Sequence, residues 1–569
     1  MPFAYLRKQR ESEARRTRLA GQTLSPPSST GSALRAIKIG VIAILVVPVL
    51  LNLPWMHSAL GPGGLPDMWV RPIDGGGDGD VAPDCVNLNG GGEGERLRFC
   101  EDMHRIPGAE RDTVIISCDA NRAGWNTVMG PLEDAKPRGQ LWTFEYPTQV
   151  TSKLDDMVPL PVELVNFPEE QTFHPLGMSI FHQEGNAGGQ LFVVNHREHF
   201  SSVELFHLTP ASREKGAGWI AQWQRSIVHP IATHTPNSIH AVSESSFLIT
   251  NDHLFARRPG PLAEHMIPML SQRFFNQDTS ALQGGGRGVQ QWVVSKLARV
   301  LSNRKAAAAL AQIETLLGLP LGWVTMVQFD PRQVVETDGV KAKIVATNIP
   351  FANGIAVSPD QKTLIVAATT YPGVFIYDII RSQRPNFTGG TTNWLEMKLS
   401  TKLHLPFRVD NLAFTSNSIS CNPNDRFSNH ALLATGHPSP LQLISMARNP
   451  LNQTSPSWSI SITPYKPTHQ SPAIESAFQH AQAWEDQEAP LPTHHFTLSH
   501  NGAWSIRTLM QSNGATVAYD ANRSVRLASS SNSFYHPYDD MVGQHGKVGG
   551  TLMVSGLYDG VLLCTGIGS

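Results

Sequence analysis

The chain has 569 residues, with 45 Lys and Arg against 47 Asp and Glu and a formal net charge of -2. That balance, without a basic stripe, argues against a nucleic-acid partner, and 41% apolar content with 12 Trp and 23 Phe argues against a disordered chain despite 47 Gly and 41 Pro. Only 16% of the residues are charged, a composition that suits many short strands joined by tight turns.

In chain order, residues 1–38 form a basic tail carrying Arg7, Lys8, Arg10, Arg15, Arg16, Arg18, Arg35 and Lys38 against Glu11 and Glu13. An apolar run from Ile39 follows and ends near Trp55. It is short for a membrane span, although tilt and an interfacial Trp accommodate such a length. The flank beyond it is rich in Gly and Asp, so charge asymmetry places the tail in the cytosol and the remainder in the secretory-pathway lumen or outside. The expected layout is a cytosolic tail (1–38), a transmembrane signal anchor (39–55), a flexible stalk (56–83) and a folded body (84–569). A cleaved signal peptide is the competing reading, with an unusually long basic region. Three sequons, at Asn386, Asn452 and Asn522, all follow the run and are expected to carry glycans on the lumenal side. The five cysteines, Cys85, Cys100, Cys118, Cys421 and Cys564, suit an oxidising compartment and leave at least one unpaired.

The body reads as short β-type runs closed by turn residues: Thr113–Ser117, Gln190–Asn195, Val203–Leu208, Ser246–Thr250, Lys343–Thr347, Thr363–Ala367, Gly373–Asp378, Ala431–Thr435 and Gly550–Ser555. No internal repeat is evident by eye, so composition alone leaves a propeller, a sandwich pair and a large barrel open. Residues 256–325 break the pattern. Val289, Trp292, Val293, Leu297 and Leu301 have helical spacing, and Lys305–Leu317 follows with Leu310, Ile313, Leu316 and Leu317 on one side. A helical insertion packed on the body is expected, with an interfacial role for the 287–317 helices at the membrane as the alternative.

Several short motifs then fall in order: Cys-Glu-Asp-Met (100–103), Phe-His-Pro-Leu-Gly-Met (173–178), Val-Val-Asn-His (193–196), Pro-Asn-Ser-Ile (236–239), Thr-Asn-Asp-His-Leu-Phe (250–255), Phe-Ala-Asn-Gly-Ile (351–355), Val-Asp-Asn (409–411) and Gly-His-Pro (436–438). Any one of them reads equally well as a turn or strand end. Together they resemble the serum paraoxonase/arylesterase family over roughly residues 85–564. The resemblance implies an all-β, six-bladed β-propeller, here with a helical insertion, with calcium in the central tunnel and activity on lactones and aryl esters. It also implies a Cys85–Cys564 disulfide closing the ring, a link that removes about 5 kcal/mol of unfolded-state entropy on the simple loop model.

By the same resemblance, Glu101, Asn237, Asn353, Asp410 and Asn411 surround the catalytic calcium. Two carboxylates and three amides suit a hard cation, and leave it able to polarise a carbonyl. A second, structural calcium would use Asp102, the Met178 carbonyl and Ser238, but Ser238 stands where the family has an aspartate. The family's histidine pair is matched by His196 alone, because Leu176 occupies the second position. Three readings of the general base follow. His196 suffices, assisted by Glu101 or a calcium-bound hydroxide; His174, two positions from Leu176, replaces the partner; or hydrolysis is lost. Asp410 is grouped with His196 and His174 as catalytic, and His253 and His437 match family histidines at the site mouth. No Gly-x-Ser-x-Gly elbow occurs, which argues against a serine esterase. The functional expectation is calcium-dependent hydrolysis of a small ester or lactone. The alternatives are a non-catalytic propeller that binds a lumenal partner or lipid, and a gluconolactonase-like or strictosidine-synthase-like enzyme.

Overall fold

The computed structural model describes residues 65–73, 83–88, 97–150, 154–211, 218–258, 304–385, 391–419, 426–465, 495–499, 502–518, 523–538 and 549–568. The basic tail, the apolar run 39–55, Cys421 and the sequons at Asn386 and Asn522 lie outside them. No helix among the described residues is long and apolar enough to cross a membrane.

Six sheets of four to six strands account for the body, antiparallel except that Glu163–Val165 runs parallel to Trp219–Ile227, and a separate two-stranded pair joins Val517–Ala518 to Ser524–Val525. Their innermost strands are, in chain order, Cys100–Arg105, Pro175–Phe181, Pro236–Ser243, Ala352–Val357, Arg408–Phe414 and Ser530–Pro537. Each touches the next around the ring, and the last returns to the first. This is a closed six-bladed β-propeller, with the blades numbered here in that order. All nine strands expected from the sequence are present, most of them longer at one or both ends. Apolar clusters fill the wedges between blades, for example Ile365, Leu405, Trp458 and Trp504 between blades 4 and 5.

The ring is closed by chain ends distant in sequence. Asp84–Leu88 pairs antiparallel with Val561–Gly568, so a strand from the N-terminal side of the body completes blade 6. Cys85 lies directly opposite Cys564, and the two form a disulfide. Cys100 and Cys118, also opposite each other, form a second one that the sequence reading left unassigned.

Two expectations need correction. Residues 56–83 are not flexible throughout: Trp69 and Val70 add a strand to blade 5 opposite Gln511 and Met510, and Ile73 is buried. The insertion is shorter than 256–325, because Gly322–Phe329 is the third strand of blade 3. Helix α1, Arg304–Leu316, occupies part of the expected helical region, and the 289–301 stretch lies outside the described residues. Its buried face is Ala307, Ala311 and Glu314, while Ile313 and Leu316 are exposed. Ala307 packs with Ile231, Leu254 and Trp323, and the half-buried Leu310 packs against the same cluster. A second helix, α2, spans Pro440–Arg448. Asn452 lies exposed in the turn after it, accessible to a glycan.

Candidate metal centre and adjoining cleft

Each of the six inner strands loses register with its neighbour near its first residues. The breaks lie between Cys100 and Asp102, Pro175 and Met178, Pro236 and Ile239, Ala352 and Ile355, Val409 and Asn411, and Ser530 and Ser533. A bulge of this kind leaves residues unpaired and re-aims their side chains. The residues freed in this way include Glu101, Asn237, Asn353, Asp410 and Ser531. The five expected ligands of the catalytic calcium are therefore carried on four inner strands at one end of the ring, each at most 6% exposed.

Glycine makes the approach possible. A Cβ on Gly354 would lie 2.5 Å from the Asn411 Cα and 2.8 Å from the Asp410 carbonyl oxygen, and one on Gly177 would lie 2.6 Å from the Asn237 carbonyl oxygen. Asn353-Gly354 is thus not a hairpin turn but a close crossing of two inner strands. Gly354→Ala is expected to destabilise the fold by about 1–3 kcal/mol through overpacking and to weaken calcium binding in parallel. Urea denaturation and calcium titration of the same variant check both effects.

Each of the three amides gives its NH2 group to a carboxylate. Asn411 Nδ2 donates to Glu101 Oε1 at 2.6 Å, Asn353 Nδ2 donates to Asp410 Oδ1, and Asn237 Nδ2 donates to Asp252 Oδ2 at 3.3 Å. These bonds fix which way each amide faces. Asn237 Oδ1, Asn353 Oδ1 and Asn411 Oδ1 are left buried without a hydrogen-bond partner, and so is Glu101 Oε2. An unsatisfied buried acceptor costs about 1–3 kcal/mol, so four among the five expected ligands make a demanding arrangement unless a cation meets them. Asp410 is held further by Ser531 Oγ at 2.8 Å and His437 Nε2 at 3.1 Å, both donating to Oδ2. Burial, with Asp102 and Asp410 nearby, raises the Glu101 carboxyl well above its usual range; a divalent ion would relieve that repulsion. No group of three or more His, Cys, Asp or Glu could hold a metal among the described residues. The donor set is a mixed one of carboxylate and amide oxygens, and it fits calcium.

The second expected site does not fit. Asp102 already accepts four protein donors: the Met103 and Met178 N–H groups at 2.9 and 2.7 Å, His104 Nε2 at 3.0 Å and Asn532 Nδ2. Met178 presents its N–H rather than its carbonyl to that carboxylate, and Ser238 adds no charge. Burial opposes protonation of His104, but the charge and hydrogen bond of Asp102 outweigh it and raise its pKa.

The histidines are less available than the sequence implies. His196 Nε2 donates to the Pro236 carbonyl at 2.7 Å, which leaves Nδ1 to accept from the Thr127 hydroxyl at 2.6 Å. Burial, then the Arg258 charge, lower its pKa to about 3. His174 faces two acceptors, Asp119 Oδ2 at 3.0 Å and the Ala135 carbonyl at 2.8 Å. Leu176 packs with Val194, Ile227, Ala232 and Ile239. The histidine pair is therefore not reconstructed by either substitute.

Beside the centre lies a small, partly open cleft whose lining includes Thr127, His196, Asp252, His253, Arg257 and Arg258. Asp252 joins the two, since it holds Asn237 on one side and lines the cleft on the other. The sequence reading missed Asp252, although its motif was in view, and it missed Thr127 and Ser531.

Comparison with known proteins gives a consistent picture. A family model described as Arylesterase matches residues 153–283. Serum paraoxonase/arylesterase 2 of Rattus norvegicus is 26% identical over 258 residues, 44% of this chain and 50% of the relative. Serum paraoxonase/arylesterase 1 of Homo sapiens is 26% identical over 257 residues with the same coverage. The match thus spans about half the length of these curated relatives. Among solved structures, a gluconolactonase from Xanthomonas campestris covers 89% of this chain and 98% of its own, at 10% identity and a TM-score of 0.34. That likeness is too low to carry an argument.

Proposed function

The chain is a relative of the serum paraoxonase/arylesterase family, and from that premise we propose that it is a calcium-dependent hydrolase of lactones or aryl esters, with one calcium ion. The observation that carries this reading is the set of four unpartnered buried oxygens on Glu101, Asn237, Asn353 and Asn411. With Asp410, these residues would hold the ion, which when bound supplies a positive charge to polarise the ester carbonyl.

The protein's own residues divide the remaining tasks. The carboxylates of Glu101, Asp410 and Asp252 hold the amides facing inward, so the cage is preorganised before substrate arrives. Asp410 takes the proton of the attacking water at Oδ1, which has a single protein donor and so keeps a lone pair open, while Ser531 and His437 hold Oδ2 in place. His196 serves as a wall of the cleft rather than as the base, because its acceptor nitrogen is occupied by Thr127. Asp410→Asn is accordingly expected to lower kcat at saturating calcium by about 100-fold or more, while His196→Gln keeps it within about tenfold. Calcium affinities measured for both variants separate lost chemistry from lost metal.

The broader test is turnover of γ- and δ-lactones and phenyl acetate by the full-length chain, with calcium and after chelation. Calcium-dependent turnover supports the proposal. A folded chain that binds calcium and hydrolyses none of them favours the second reading, a binding propeller, whose own support is the sequestered histidines and the core-packed Leu176. Attachment to a lumenal membrane through residues 39–55 and glycosylation at the three sequons belong to the same proposal, and glycosidase sensitivity of the membrane fraction tests them.

A further inference from the structure

The cleft beside the metal centre has a basic wall with one unspent cation. Asp252 is the only carboxylate in its described lining, and both its oxygens are engaged, Oδ1 with His253 Nδ1 at 2.8 Å and Oδ2 with Asn237. His253 Nε2 reaches Thr315 Oγ1 at 2.6 Å, and that hydroxyl donates onward to the Ala311 carbonyl. Both ring nitrogens of His253 therefore donate, as an imidazolium requires. Burial works against that charge, but Asp252 outweighs it and raises the pKa. Arg258 is spent on the Arg197 carbonyl and Ser201 Oγ.

Arg257 differs. It is half-buried, and its Nε donates to the Val128 carbonyl at 2.6 Å. Neither of its Nη nitrogens has a protein acceptor among the described residues. The segment carrying it is fixed from behind, since Glu314 on α1 accepts the N–H groups of Leu254 and Phe255 at 2.9 Å each. A guanidinium anchored at Nε and open at both Nη atoms presents the two-pronged donor that matches a carboxylate.

We propose that Arg257 is a specificity-determining residue that seats a free carboxylate on the substrate, so that the preferred substrates are esters or lactones bearing a second, anionic carboxylate group. This deepens the hydrolase reading and depends on it for the word substrate, but not for the anion site itself.

Phenyl acetate and 4-acetoxybenzoate, alike except for the carboxylate, provide the kinetic test on the full-length chain. The ratio of their kcat/KM values is expected to favour the anionic ester, chiefly through KM, and to fall by about 10- to 100-fold in Arg257→Ala. Arg257→Lys retains part of the preference. Calorimetric titration with 4-hydroxybenzoate, against phenol as the neutral control, reads the same site without turnover. Binding of the anion alone, lost in Arg257→Ala, supports the proposal even if neither ester is hydrolysed, in which case it is the hydrolase reading that fails. Hydrolysis of both esters with a ratio that Arg257→Ala leaves unmoved, and no binding of 4-hydroxybenzoate, overturns the anion site and leaves the hydrolase reading standing.

Discussion

Stripping calcium from the full-length chain with EGTA is expected to abolish ester turnover and to lower the thermal midpoint by on the order of 5 °C. The size follows from linkage. An ion present at about a thousand times its dissociation constant stabilises the native state by roughly 4 kcal/mol, and the large unfolding entropy of a body this long converts each kcal/mol into only about 1–2 °C. Asn353→Ala should behave as a partial chelation. It removes one of the four unpartnered oxygens and also frees Asp410 Oδ1 from its amide donor. Calcium affinity is expected to fall at least about tenfold, the lower bound seen even for residues that only support metal ligands. Thermal melts over a calcium titration check both numbers. An unchanged midpoint on chelation would mean that the four oxygens are satisfied by water, and the single-ion proposal would fail.

The second large effect concerns the seam of the ring. Replacing Cys85 and Cys564 together by alanine is expected to cost about 2–5 kcal/mol, because a link across 479 residues restricts the unfolded chain strongly. The loss should be localised as well as global. Blade 6 takes its Asp84–Leu88 strand from the other end of the body, as blade 5 takes the short outer strand at Trp69 and Val70, so hydrogen exchange in Asp84–Leu88 and Val561–Gly568 should accelerate before that in blades 2 to 4. Loss of the Cys100–Cys118 link, which spans only 18 residues between strands already paired, should cost less. The order of the two effects, read from urea denaturation of the paired variants, is the sharper test. Equal losses would mean that loop length is not what makes the seam link stabilising.

Much of this architecture is legible in the sequence because propeller strands announce themselves locally. Alternation and β-branched runs such as Thr363–Ala367 need no partner to be recognised. The candidate ligands are legible for another reason: they sit in short motifs at the start of inner strands, where side-chain chemistry and position are tied together. What could not be read is anything set by register. The run Ser529–Ser533 looks like a polar connection, yet it is wholly buried and from Ser530 onward belongs to the innermost strand of blade 6, where Ser531 reaches Asp410. Small polar residues fit that place because partners surround it: Ser530 Oγ donates to the Gly436 carbonyl, Ser531 Oγ to Asp410 and Asn532 Nδ2 to Asp102. The buried face of α1 was misjudged because periodicity weighed Leu and Ile above Ala, whereas close packing selected Ala307 and Ala311. His174 and His196 could be listed, but their neighbours Asp119, Ala135, Thr127 and Pro236 come from distant segments that no local pattern predicts.

The six register breaks have a consequence for how such a protein can diverge. They place the candidate ligands on strand starts, inside the ring, whereas the cleft is walled by residues from outside those strands, among them Thr127, Val128, Arg257 and Ala311. Insertions or exchanges in the connecting segments can reshape the entrance while the ring holds the ligands still. Two selective pressures thus act on separable stretches of one chain, and the cleft is free to drift across descendants while the proposed ion cage is kept intact.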